Sequence, residues 1–168
     1  TLFPYTTLFR SVLQATLQAD RCYVTDRGYE QFALFNQIVQ ARSSYVCRVR
    51  NDHQFRTERQ LELTDAARAS GVLEDALGQM GSPKSKRIVH PDHPQRRIVV
   101  AFTTHEKRGG RRARPASQNI VLVTNLLDVP AEIIALLYRQ RWLIELFFRW
   151  LKSVFACRHL LSEAQNGI

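Results

Sequence analysis

The chain has 168 residues, of which 45% are hydrophobic and 23% charged; that is enough apolar material for one ordinary core and excludes wholesale disorder. Lysine and arginine number 24 against 15 aspartate and glutamate, a net charge of +9. The excess suits a polyanionic partner, most simply nucleic acid, although basic charge alone is shared with ribosomal and membrane-surface proteins.

No apolar run approaches the roughly 18 to 20 residues needed to span a bilayer, so no membrane association is expected. Cys22, Cys47 and Cys157 are scattered and form no CxxC pair, which fits a reducing cytoplasm better than a disulfide framework. The start, Thr1-Leu2-Phe3-Pro4-Tyr5, has neither a basic leader nor a small-residue cleavage site. It also lacks Met, and residues 1–11 are read as a candidate non-native leader.

Residues Leu13 to Ala19 can form a short helix. Cys22-Tyr23-Val24-Thr25 then reads as a strand, and Asp26-Arg27-Gly28-Tyr29 as the turn that ends it. A helix is expected from about Glu30 to Ala41, with Phe32, Leu34, Phe35, Ile38 and Val39 on its apolar side. Ser44 to Val49 alternates as a second strand. Strand, helix, strand is a βαβ unit, with Asp26 at the edge where open α/β sheets place ligands. An acid there is more often a helix cap or turn residue than a metal ligand.

From His53 to about Asn119 the character changes. Gln60-Leu61-Glu62-Leu63 and Arg97 to Thr103 read as strands, and Ala66 to Met80 has a helical pattern weakened by Gly71 and Gly78. His90-Pro91-Asp92-His93-Pro94 holds metal-ligand residue types, but its two prolines predict a rigid surface turn rather than a zinc site. Lys107, Arg108, Arg111, Arg112 and Arg114 crowd around two glycines. Such a run is a solvated loop or a surface that settles on a phosphate backbone without reading sequence, and the two do not exclude each other.

Asn119 to Asn125 is a continuous apolar run of strand length, suited to a sheet buried on both faces. Asp128 is a candidate N-cap for a long helix from about Pro130 to Arg158. A helix turns about 100° per residue, so Tyr138, Arg141, Glu145 and Lys152 fall near 0°, −60°, −20° and −40° on one stripe. Leu136, Leu143, Phe147, Leu151 and Val154 occupy the other side, which is expected to face the core. An ion pair of Glu145 with Arg141 one turn earlier explains part of that stripe without any function. For Trp142 and Trp150 core packing is the expected role; stacking on an unpaired base is the alternative.

Tyr138, Arg141, Glu145 and Lys152, in their context Arg141-Trp142-Leu143-Ile144-Glu145 and Phe147-Phe148-Arg149-Trp150-Leu151-Lys152, resemble the signature of the insertion-sequence family four transposases, a branch of the DDE transposases. Asp26-Arg27-Gly28-Tyr29 followed by Tyr45-Val46-Cys47-Arg48-Val49 is similar to the same family's second-acid segment. The resemblance implies an α/β protein with a partial RNase H-like core, a mixed sheet with flanking helices. It places core segments at 12–52 and 119–168 and a β-rich insertion at 53–118.

By the same resemblance Asp26 and Glu145 are catalytic, metal-binding carboxylates. Tyr138, Arg141 and Lys152 contact transposon-end phosphates, and Arg149, with Lys107, Arg108, Arg111 and Arg112 of the basic loop, completes the expected DNA-binding set. The cofactor is Mg²⁺ or Mn²⁺, two ions in a complete site, and such ions act together on attacking and leaving oxygens. Water would cut at a transposon end, and the freed 3′-OH would attack a second phosphodiester. The partner is double-stranded DNA, with a possible homodimer in a synaptic complex, in the cytoplasm of a bacterium and on its nucleoid when bound.

One feature departs from the pattern. The family uses three acids, the first on a strand well before the second, and Asp20 is the sole acid ahead of Asp26. The first acid and the opening strands are expected to be missing, leaving this chain alone inactive. Two other readings keep parts of the pattern: another RNase H-like nuclease such as a resolvase, and a catalytically dead DNA-binding remnant.

Overall fold

The computed structural model describes residues 4–81, 89–103 and 117–154. In chain order these form α1 (Pro4–Ala15), β1 (Cys22–Thr25), a 3₁₀ turn (Arg27–Tyr29), α2 (Phe32–Gln40), β2 (Ser44–Val49), β3 (Phe55–Gln60), α3 (Asp65–Ala69), β4 (Val72–Met80), β5 (Gln95–Thr103), β6 (Ser117–Thr124) and α4 (Ala131–Val154). The six strands make one sheet in the order β1-β2-β6-β5-β4-β3. Only β1 and β2 run parallel, as the βαβ reading requires; the other pairs are antiparallel.

The apolar run near residue 120 became the middle of this sheet. Ile120, Val121, Leu122 and Val123 are all buried, and alternate residues feed two separate cores. Val46, Ile98, Val100, Ile120 and Leu122 meet Ala131, Ile134, Ala135 and Tyr138 of α4 on one face. Tyr45, Cys47, Val49, Val99, Val121 and Val123 meet Leu34, Phe35 and Ile38 of α2 on the other. Each such aliphatic side chain removed from water contributes about 1.5–3 kcal/mol, so the period-two alternation of β2, β5 and β6 holds both layers together.

Several expected elements moved. The first helix spans Pro4–Ala15 rather than 13–19, and Leu13 packs on the α2-side core beside Leu17, which follows the helix. The helix expected from about Glu30 to Ala41 spans Phe32–Gln40, and a separate 3₁₀ turn precedes it, started by the Asp26 carboxylate accepting from Arg27 N at 2.8 Å. The strand placed at Gln60–Leu63 lies earlier, at Phe55–Gln60.

The helical pattern of Ala66 to Met80 survives only as α3, capped by Thr64 Oγ1 accepting from Ala67 N at 3.0 Å. Gly71, at φ +85°, ends it in the left-handed conformation that glycine adopts without strain. The rest is β4, paired on both sides by β3 and β5; two ladders of backbone hydrogen bonds outweigh a weak local helix preference. The described strands of the 53–118 stretch thereby continue the same sheet as β1 and β2.

His90 to Pro94 is not a surface turn throughout: Pro91 and His93 are buried. His93 Nε2 lies 2.9 Å from the Tyr45 hydroxyl, which also accepts from Gln95 Nε2 at 2.7 Å. Helix α4 begins at Ala131, with the Pro130 carbonyl accepting from Ile134 N at 3.2 Å, so Pro130 rather than Asp128 holds the capping place. No described helix is long and apolar enough to cross a membrane.

Candidate active site at the end of strand β1

The face that α4 turns to the sheet reverses the expectation. Leu136, Leu143 and Phe147 are about half exposed, whereas Ala131, Ile134, Ala135 and Tyr138 are buried. Ala131, Ile134 and Ala135 lie within about 60° of Tyr138 on the wheel, so the stripe of mixed chemistry, not the richer apolar stripe, faces the protein. Trp150 is also exposed, at 56%, and is not a core residue in this chain; it pairs with Phe147, ring centroids 6.1 Å apart.

This choice of face brings remote residues together. Thr25 ends β1, and Asp26 follows with extended backbone (φ −98°, ψ 176°), so its carboxylate stands beyond the sheet edge. The Tyr138 hydroxyl donates to Asp26 Oδ1 across 3.4 Å. Arg141 Nη2 lies 3.6 Å from Asp26 Oδ2, too long for a hydrogen bond and best described as an ion pair. Its guanidinium carbon is also 5.5 Å from the Tyr138 ring centre, within cation–π range.

Asp26 therefore serves in two ways. It is the turn cap that the simpler reading foresaw, and it is also the carboxylate that meets the Tyr–Arg stripe of α4. Its side chain is 39% exposed, so one flank remains open to solvent.

The electrostatics follow from this packing. Burial pushes the Tyr138 phenol above its ordinary range, and the Asp26 charge pushes it further, while Arg141 and Arg48 oppose the shift. Arg48 was not among the residues expected to act. It sits on β2, and its Nε is buried with no hydrogen-bond partner among the described residues. A buried nitrogen left without a partner is costly, and the Arg48 charge lies close enough to Tyr138 to influence its proton. The signal was present in the sequence: a charged residue two places from Val46, on the face of β2 that looks toward α4.

Glu145 lies on the same unbroken helix one turn beyond Arg141, with Arg149 and Lys152 further along it. Lys107, Arg108, Arg111 and Arg112 lie outside the described residues. Among the described residues no cluster of three His, Cys, Asp or Glu side chains could hold a metal ion. What is present suits a hard divalent ion in kind, since Asp26 offers carboxylate oxygen, half open to solvent and already holding a cationic group. A single carboxylate is short of a complete ligand set.

Compared with known proteins, residues 6–168 match the family described as "Transposase DDE domain". The chain belongs to that family. It is 28% identical over 154 residues to a protein named putative transposase y4zB from Sinorhizobium fredii (strain NBRC 101917 / NGR234), covering 90% of this chain and 39% of that protein. It is 27% identical over 150 residues to one named probable transposase for insertion sequence element IS5377 from Geobacillus stearothermophilus, covering 89% of this chain and 35% of the relative. This DDE-domain chain thus spans under two fifths of either relative.

Proposed function

We propose that this chain is the part of a bacterial DNA transposase of the insertion-sequence family four type that carries the second and third acids of an RNase H-like active site. The observation that carries the reading is the meeting of Asp26 with Tyr138 and Arg141 across the end of β1. In this reading residues 12–52 and 119–168 are the RNase H-like segments, and 53–118 is the β-rich insertion between them, whose described strands extend the same sheet.

Asp26 and Glu145 are the residues that would hold Mg²⁺ or Mn²⁺. Bound there, divalent ions supply Lewis-acid activation of the attacking hydroxyl and stabilise the leaving oxygen. The chain's own residues do the rest. Arg141 and Lys152 take phosphate oxygens and offset charge that builds on the scissile group, and Arg48 adds positive charge near Tyr138. Tyr138, its phenol kept protonated by burial, donates a hydrogen bond and is not a nucleophile. Arg149 and the basic loop containing Lys107, Arg108, Arg111 and Arg112 extend the contact along the duplex backbone. A first acid from outside these 168 residues completes the site, and joining two transposon ends calls for a homodimer on double-stranded DNA.

The test is duplex binding by fluorescence anisotropy over a salt series. Binding should weaken linearly in log salt, the signature of phosphate neutralisation. Arg141→Gln and Lys152→Gln should each reduce affinity and the salt slope, Glu145→Gln should leave both nearly unchanged, and Mg²⁺ should not produce robust cutting by the 168-residue chain. Binding indifferent to salt and to Arg141 and Lys152 would sink the proposal.

A further inference from the structure

The segment between β6 and α4 is held by a buried ion pair formed by two strands outside the Asp26 site. Asp75 on β4 and Arg96 on β5 are 3% and 5% exposed. Arg96 Nε and Nη2 donate to the two Asp75 oxygens at 2.7 and 2.6 Å. Its remaining nitrogen, Nη1, donates to the carbonyls of Val129, Leu127 and Leu126 at 2.5, 3.0 and 3.5 Å. One guanidinium fork thus binds a carboxylate on one side and, on the other, three backbone oxygens in the five residues that precede α4.

Such a pair is weak evidence of a role in stability. Desolvating two charges costs about as much as their attraction returns, and well-packed apolar replacements are often neutral or better. What an apolar pair cannot do is point. Arginine presents five donors in a rigid planar fork, so the carbonyls of Leu127 and Val129 are fixed in direction relative to β4 and β5. Those carbonyls are the last backbone groups before Pro130 and Ala131 start the helix. Within a rigid helix, a change of entry angle at Ala131 grows with distance along the axis at about 1.5 Å of rise per residue. Tyr138 and Arg141 lie two to three turns on, where a modest tilt would separate them from Asp26.

We propose that Asp75 and Arg96 are positioning residues: a clamp through which strands β4 and β5 aim α4, so that Tyr138, Arg141 and Glu145 arrive at Asp26. The inference rests on the reading of Asp26 and α4 as one site, and it gives the strands between the two acids a task in that site. Arg139 Nη2, donating to Ser70 O at 2.7 Å, ties the next stretch of α4 to the end of α3 and leaves the clamp to set the helix entry.

The experiment measures direction separately from stability. Nitroxides are attached to the exposed native Cys22 at the start of β1 and to Leu143→Cys on the exposed side of α4, with Cys157 changed to Ser. Pulsed electron-resonance distances are recorded beside thermal melts. The Asp75→Leu/Arg96→Met double variant should melt cooperatively within a few degrees of the parent, while its distance distribution shifts or broadens by several ångströms. Arg96→Lys keeps the charge pair but loses the fork; it should fold and show a smaller change of the same kind. A folded variant of either type with the parent's narrow distribution would overturn the clamp. A parental distance incompatible with α4 lying over β1 would instead overturn the Asp26 site, so the two failures are told apart.

Discussion

Asp26 and Tyr138, 112 positions apart, are joined by a 3.4 Å hydrogen bond from phenol to carboxylate where α4 crosses the end of β1. The two parts of Tyr138 contribute differently. Its ring is buried among Val46, Leu122 and Ile134, while its hydroxyl meets a carboxylate that water also reaches. Tyr138→Phe should therefore cost less than about 1 kcal/mol, and Tyr138→Ala about 3–5 kcal/mol, as for other buried aromatic truncations. Urea denaturation of the two variants checks this; equal losses would mean that the hydroxyl does far more than its long contact allows.

Gly78 is required by space alone. A Cβ on it would lie 2.0 Å from the Arg56 carbonyl oxygen, beside the irregularity where β3 shifts register between Thr57 and Arg59. Backbone cannot withdraw as a flexible side chain can. Gly78→Ala should break the β3–β4 ladder locally, at about 2–4 kcal/mol, among the larger single-substitution effects. Hydrogen exchange should then show lost protection in Phe55–Gln60 and retained protection in β6.

Tyr45 carries a buried polar network within an apolar core. Its ring stacks on Phe35 at 4.4 Å and 3°, and its hydroxyl joins Gln95 and His93. Tyr45→Phe keeps the stacking but leaves the buried Gln95 Nε2 without this acceptor. The expected loss is about 1–3 kcal/mol, the desolvation cost of an unmet buried donor, measured by the urea midpoint. Gln95→Leu in the same background should not recover it, because the buried Met80 N–H, which donates to Gln95 Oε1 at 2.9 Å, would then lose its acceptor.

Alkaline pH should weaken the fold. Burial pushes the Cys47 thiol up to about 12 from an ordinary 9.0. Below pH about 9 both folded and unfolded thiols are protonated, and the contribution is fully present. Between about 9 and 12 only the unfolded thiol ionises, so stability falls by up to about 1.4 kcal/mol per pH unit. Tyr45 and Tyr138, both raised above 10.0 by burial, add to the loss at higher pH. Urea midpoints from pH 8 to 10.5 should decline, and Cys47→Ala should flatten the first part. At pH 8 iodoacetamide should label Cys22 and spare Cys47.

Local pattern carried much of this protein. The alternation of Ser44 to Val49, the unbroken apolar run around Leu122 and the Asp-Arg-Gly turn after Thr25 each specify an element through contacts close in sequence. The Tyr138–Arg141 spacing likewise puts both on one side of α4 by helix geometry alone. These features follow from backbone periodicity, which any reader of the chain can apply.

Other features needed the folded molecule. The stretch after Ala69 is β4 because β3 and β5 lie on either side of it, and hydrogen bonds to strands remote in sequence overrule a weak helical preference. Which stripe of α4 faces inward was misread from the sequence, whose richer apolar side, with Leu136, Leu143 and Phe147, is about half exposed. Burial of Ala131, Ile134, Ala135 and Tyr138 decided it. The roles of Arg48, Asp75 and Arg96 were hidden for the same reason: a charge in a strand reads as solvent-facing until the structure shows what lies over it.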